Sequence, residues 1–299
     1  MKWRPFFLSI ALLSLFQPAF SQTAGAVIFR ISSPHTAFPD SLRAAGHVYD
    51  SVLYSAADHY RDSSVLIVVP EKLKAKKKID LVCWFHGWRN NIDSASVNFE
   101  LIKQFLDSKR NAILVFAETA KNAPDSYGGR LEKEGVFKAL VGDVFDSLKA
   151  RKLISSKSTV GNIALAGHSG AYRVMARIIR NGQLPIHETI LFDALYGETD
   201  IFDNWIKADK KHRFIDLYTD HGGTDEESRN LVKQLKQEGL APVEAEESAV
   251  TPGLLQQDRI LFIHSLKAHN DIINKPDNFR MFLENSVFLK PVNSFPAPE

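Results

Sequence analysis

The chain has 299 residues, 44% of them apolar, and its 37 Lys and Arg against 35 Asp and Glu leave a formal net charge of +2. That balance excludes nucleic acid or an anionic membrane as the main partner, since both demand a strongly basic surface. The one cysteine, Cys83, excludes an internal disulfide framework, and its place in Leu81-Val82-Cys83-Trp84-Phe85 predicts a buried, inert thiol.

Lys2 and Arg4 precede an apolar stretch from Phe6 to Phe16, and Ala19-Phe20-Ser21 follows with small residues at its first and third places. A basic start, a short apolar run and a small-x-small site predict a signal peptide over residues 1–21, cut before Gln22. The protein is then secreted or periplasmic, with a mature chain of 22–299 forming a single domain. The run is too short to span a bilayer, which takes about 20 apolar residues. No stable membrane span is expected, and no cysteine at the junction offers a lipid anchor.

Further along, apolar runs predict strands over 26–31, 65–69, 79–85, 112–117, 162–166, 189–192, 214–218 and 260–263. Several are continuous rather than alternating, the pattern of central strands covered on both faces. Helical spacing falls near 94–109, 133–152, 171–181, 225–238 and 276–286. In 133–152, Phe137, Leu140, Val141, Val144, Phe145 and Leu148 form one core-facing stripe. Strands alternating with helices imply parallel crossovers. The predicted fold is therefore α/β, a doubly wound, mostly parallel sheet of about eight strands flanked by helices. Residues 34–62 are mixed and polar, which predicts an antiparallel or irregular start to that sheet. Lys72, Lys74, Lys76, Lys77 and Lys78 read as a solvated turn, and the proline-rich stretch after Phe288 as an extended tail.

Gly167-His168-Ser169-Gly170-Ala171 follows the apolar run Ile163-Ala164-Leu165-Ala166 and precedes a helix beginning near Tyr172. A serine on a sharp strand-to-helix turn has its hydroxyl exposed above the sheet edge, where backbone N–H groups point at developing negative charge. Small residues must flank it, because strand and helix approach closely there. His86-Gly87-Trp88 directly follows the run 79–85, and two late histidines, His264 and His269, lie in the closing segment 259–271. No phosphate-cradling glycine loop, His-Glu-x-x-His pair or calcium-loop pattern is present, so no cofactor and no metal are expected.

The Gly167-to-Ala171 turn, the His86-Gly87 element and the late His269 resemble the α/β-hydrolase superfamily across nearly the whole mature chain. One departure is Ala171, where the familiar motif ends in glycine. The segments Asp125-Ser126-Tyr127-Gly128-Gly129-Arg130 and Asp193-Ala194-Leu195-Tyr196-Gly197 are also similar to secreted bacterial members of that superfamily. The resemblance implies a Ser-His-Asp mechanism through an acyl-enzyme, with Ser169 as nucleophile and Gly170 and Trp88 N–H groups as the oxyanion hole. Its chain order implies an acid after the serine and a histidine near the end. His269 falls on the loop past the last strand and is preferred to His264, which lies within that strand. For the acid, Asp193 at the end of the sixth predicted strand and Asp220 at the end of the seventh both serve; Asp193 is preferred for its rigid setting. The expected substrate is a small-molecule or polymer-linked carboxylic ester. A peptidase or amidase with the same triad, and a non-catalytic binding module of the same fold, are the alternatives. Trp88, Arg89, Tyr127, Tyr196 and Trp205 lie in segments that reach toward the mouth of such a site.

Overall fold

Runs dense in β-branched and large apolar side chains settle where both faces are covered, and this chain has enough of them to build a wide sheet. A computed structural model describes residues 21–23, 25–74 and 77–292. The predicted signal peptide, apart from Ser21, lies outside these residues. The strands are β1 (Ser21–Thr23), β2 (Ala26–Ser32), β3 (His47–Tyr49), β4 (Val52–Tyr54), β5 (Ser64–Pro70), β6 (Lys78–Phe85), β7 (Ala112–Ala117), β8 (Thr159–His168), β9 (Glu188–Phe192), β10 (Arg213–Thr219), β11 (Val243–Glu246) and β12 (Ile260–Ser265). Ten of them form one sheet in the order β1-β2-β5-β7-β6-β8-β9-β10-β12-β11. From β7 to β11 every pair is parallel, whereas β1–β2, β2–β5 and β5–β7 are antiparallel.

The sheet is thus wider than the sequence suggests. Its two extra strands, β1 and β11, are short edges of three and four residues, too brief to leave a hydrophobic signature. Residues 34–62 supply a separate hairpin, β3–β4, turned through Asp50 and Ser51, both at positive φ. That is the backbone of a two-residue hairpin whose twist matches its strands.

The main helices are α1 (Ala56–His59), α2 (Ile92–Asn98), α3 (Leu101–Asp107), α4 (Val136–Ala150), α5 (Tyr172–Asn181), α6 (Thr199–Ala208), α7 (Asp225–Gln237), α8 (Pro252–Gln257) and α9 (Asn278–Glu284). The predicted helix over 94–109 is two helices, broken where Glu100 takes a left-handed backbone. Helices α4 to α7 pack on one face with Leu81, Cys83 and Phe85 of β6. On the other face lie α2, α3, α8 and α9, with Val82 and Trp84. Successive residues of one strand therefore feed two different cores, as pleating requires.

Chain direction decides where chemistry can gather. From β6 the chain crosses to β7 on one side, and from β8 it continues to β9 and β10 on the other. The strand order reverses between β6 and β8, and in open α/β sheets the crevice at that switch point, beyond the carboxyl ends of the strands, is where ligands bind. His86-Gly87-Trp88 leaves β6 there, and Ser169 leaves β8 beside it.

Candidate active site

Ser169 has φ +56, a left-handed backbone that a non-glycine residue adopts at a cost of about 1–3 kcal/mol. The turn is sharp because β8 runs through His168 and helix begins within three residues, at Tyr172. Gly87 packs directly on this turn. A Cβ at that position would lie 2.5 Å from Ser169 Cβ and 2.8 Å from the His168 carbonyl oxygen, so only glycine lets the two loops meet. The loop is tethered by buried His86, whose Nε2 lies 2.6 Å from Glu118 Oε1 and 2.9 Å from Thr119 Oγ1. Glu118 Oε2 in turn accepts from the Ile92 N–H at 3.2 Å. The residues after β6 are thereby fixed to the end of β7.

Asp193, at the end of β9, also stands at positive φ, +46, and its side chain is fully buried. Its carboxylate accepts from the Thr219 N–H at 3.2 Å, the Thr219 hydroxyl at 2.7 Å and the Thr224 hydroxyl. His269 Nδ1 lies 2.6 Å from Asp193 Oδ2. Burial alone would raise the Asp193 carboxyl. The hydrogen bonds from His269, Thr224 and Thr219 outweigh it and hold the group below its ordinary range. With Nδ1 donating, a neutral His269 presents Nε2 as its acceptor nitrogen.

His168 fills the space behind. Its Nε2 donates to the His269 carbonyl oxygen at 3.0 Å, and the two imidazole rings lie 4.4 Å apart. Burial, and then the neighbouring His269, push His168 down to about 3, so it is a neutral packing residue. Tyr196 joins the parts. Its ring meets the His269 ring edge-on at 6.5 Å, its hydroxyl donates to the Gly222 carbonyl, and it lines the same cavity as Ser169. Burial, and then Asp193, raise the Tyr196 phenol to about 12.

Ser169, Gly170, Trp88, Tyr196, Ser126 and Tyr172 line one cavity of about 330 Å³. Among the residues expected near the mouth, Trp88 and Tyr196 reach it; Tyr127 and Trp205 are buried elsewhere, Trp205 stacked on His212. The structure brings Asp193 and His269 together and keeps the alternatives apart. Asp220 Oδ1 contacts His264 Nε2 at 2.7 Å, and His264 Nδ1 faces Glu246 Oε2 at 2.9 Å. Among the described residues one group has the donors for a metal ion, Asp220, Asp225 and His264, with ligand atoms within 4.8 Å of one another. Sequence reasoning gave no role to Ser126, Tyr172, Thr219, Thr224 or Glu118. The Asp125-to-Arg130 segment, a point of resemblance, was the one signal pointing at Ser126.

No protein family and no curated protein matches the chain by sequence. Solved structures do match its architecture. A fluorophosphonate-binding serine hydrolase F of Staphylococcus aureus aligns over 87% of this chain and 98% of its own, with TM-score 0.50 and 10% identity. An S-formylglutathione hydrolase of the same organism covers 88% and 99%, with TM-score 0.51 and 9% identity. A feruloyl esterase module of Clostridium thermocellum covers 95% and 100%, with TM-score 0.51 and 11% identity. The chain has the α/β-hydrolase fold, shared with serine hydrolases and esterases. Among the described residues no helix is long and apolar enough to cross a membrane.

Proposed function

We propose that the protein is a serine hydrolase that cleaves carboxylic esters. The observation that carries this reading is the Asp193–His269 contact, its imidazole 4.4 Å from that of His168, the residue before a serine held on a left-handed strand-to-helix turn. His269 takes the Ser169 proton through Nε2 as the hydroxyl attacks the ester carbonyl. Asp193 keeps the imidazole in that tautomer and stabilises the imidazolium. The oxyanion is received by the N–H groups of Gly170 and Trp88, on the two loops that meet at Gly87. His269 then protonates the leaving alcohol, and water resolves the acyl-enzyme by the reverse proton path. That the structural neighbours include a feruloyl esterase supports an ester over an amide.

Labelling with a fluorophosphonate tests the nucleophile. Wild-type protein should be labelled, and Ser169→Ala should lose the label while keeping its melting temperature within a few degrees. Labelling of the variant at the wild-type level would falsify the assignment.

The N-terminal pattern supports export with cleavage before Gln22, and we propose a secreted or periplasmic site of action. Intact-mass analysis of the protein recovered from its native cells should find Gln22 at the start of the chain. A chain from the cytoplasm that retains Met1 would rule this out.

A further inference from the structure

The cavity beside Ser169 has a definite hydrogen-bond polarity. Trp88 Nε1 donates to Ser126 Oγ at 2.7 Å, and Tyr172 lines the same cavity. An indole N–H only donates, so Ser126 Oγ must accept from it. The Ser126 proton then remains to be donated, and the Tyr172 hydroxyl brings a second, both on residues that line the cavity. Among the described residues, the other side-chain donors there have their own work: Trp88 donates to Ser126, Tyr196 to the Gly222 carbonyl, and Ser169 is the nucleophile.

The pair is held in place from behind. Asp125 receives Arg43 Nε at 2.6 Å and the Tyr127 N–H at 2.9 Å, and the Tyr127 hydroxyl donates to Asp40 at 3.0 Å. Trp88 and Ser126 also close over Gly170, where a Cβ would fall 2.6 Å from Trp88 Cδ1 and 2.7 Å from Ser126 Oγ. The Ser126 hydroxyl is therefore fixed next to the reacting centre. Among the described residues no cation lines the cavity. The complementary group is thus an uncharged oxygen rather than a carboxylate.

The leaving alcohol must face His269 to be protonated, and His269 is not among the residues lining this cavity. The cavity takes the acyl group. We infer that the Ser126–Tyr172 hydroxyl pair is a specificity-determining site that donates a hydrogen bond to a neutral oxygen acceptor on the acyl chain of the substrate. The preferred esters then carry an ether or hydroxyl oxygen a few bonds from the scissile carbonyl, where plain alkyl esters have a methylene.

This inference rests on Ser169 as nucleophile, and its test separates the two. The probes are p-nitrophenyl esters in isosteric pairs: methoxyacetate against butyrate, and 3-methoxypropionate and ethoxyacetate against valerate. Each kcat/KM is divided by the rate of hydroxide hydrolysis of the same ester, which removes intrinsic reactivity. For at least one pair the wild-type protein should favour the oxygen-bearing ester by about two- to tenfold, the range expected of one hydrogen bond. The Ser126→Ala/Tyr172→Phe double variant should bring that ratio to one, with Tyr172→Phe and Ser126→Ala falling between. A wild-type ratio of one or less for every pair overturns the inference, as does a preference that survives in the double variant. If the double variant fails to fold, the two single variants decide, and an unchanged ratio in both overturns it. Ester turnover that persists in Ser169→Ala would instead overturn the underlying assignment of the nucleophile.

Discussion

Two aspartates follow neighbouring strands, and their surroundings assign them different work. Asp193 is sealed from solvent and takes two threonine hydroxyls and a backbone N–H in addition to His269. Asp220 keeps a side-chain exposure of 40% and is paired with His264 of β12. Asp193→Asn is expected to lower kcat on p-nitrophenyl acetate by up to about ten-thousandfold, because the amide no longer fixes the tautomer of His269. Asp220→Asn, which loosens a solvent-screened pair, should change kcat by less than about fivefold. Similar losses in the two variants, with melting temperatures intact, would contradict this division. The pH response of Asp193 has a definite sign. Its folded carboxyl titrates below its ordinary value, so its contribution to stability is present above about pH 4 and fades as acid protonates the folded form. The sequence showed both aspartates as carboxylates at the ends of apolar runs, and only the tighter setting of Asp193 against its run favoured it. What distinguishes them is Thr219 and Thr224, donors about thirty residues away that only the packed fold brings to one carboxylate. Trp88 was given a backbone role and a place near the mouth. That its indole also reaches Ser126 depends on the meeting of two loops, which no local periodicity records.

Element by element, legibility followed burial. The doubly covered strands β5, β6, β7, β9, β10 and β12 were visible within a residue or two, because an uninterrupted apolar run has few other destinations. Helix α4 was visible for the same reason, its stripe matching six buried residues. The edges were not: β11 alternates half-buried and exposed residues over only four positions. Helix α6 was also missed, although Ile201, Phe202, Trp205 and Ile206 lie on its buried face. Its first turn is acidic and it follows a loop at Glu198 with a left-handed backbone, so its pattern is short and its start unmarked. The antiparallel start of the sheet was expected from the absence of a crossover helix, and the β2–β5–β7 pairing has that form. The hairpin within 34–62 was hidden because Val48, Val52 and Leu53 are exposed, the opposite of a core strand. For the site as a whole, strand ends were readable and the residues crossing between loops were not.

At the scale of the whole molecule, one buried carboxyl lies across the sheet's interior without a charged partner. Asp216, in the middle of β10, accepts from the Ser228 hydroxyl at 2.6 Å and is fully buried. Burial, reinforced by the charge of Asp193 and only partly offset by Ser228, raises it from 3.8 to about 7. Between those two values the native state keeps a proton that the unfolded chain releases. Stability therefore falls as pH rises through this window and levels off above about pH 7. Asp216→Asn removes that loss. Its melting temperature should exceed that of the wild type by several degrees at pH 8, and the gain should shrink toward zero near pH 4. A difference that is the same at both pH values would contradict the titration. The thiol of Cys83 lies in the same interior, walled in by β7 and β8 on either side of its strand and raised by burial to about 12. Because it is the chain's single sulfhydryl, the native molecule has nothing to offer glutathione, a disulfide oxidase or a second copy of itself. Its folded state is indifferent to redox potential, and its covalent structure is the same in a reducing as in an oxidising medium.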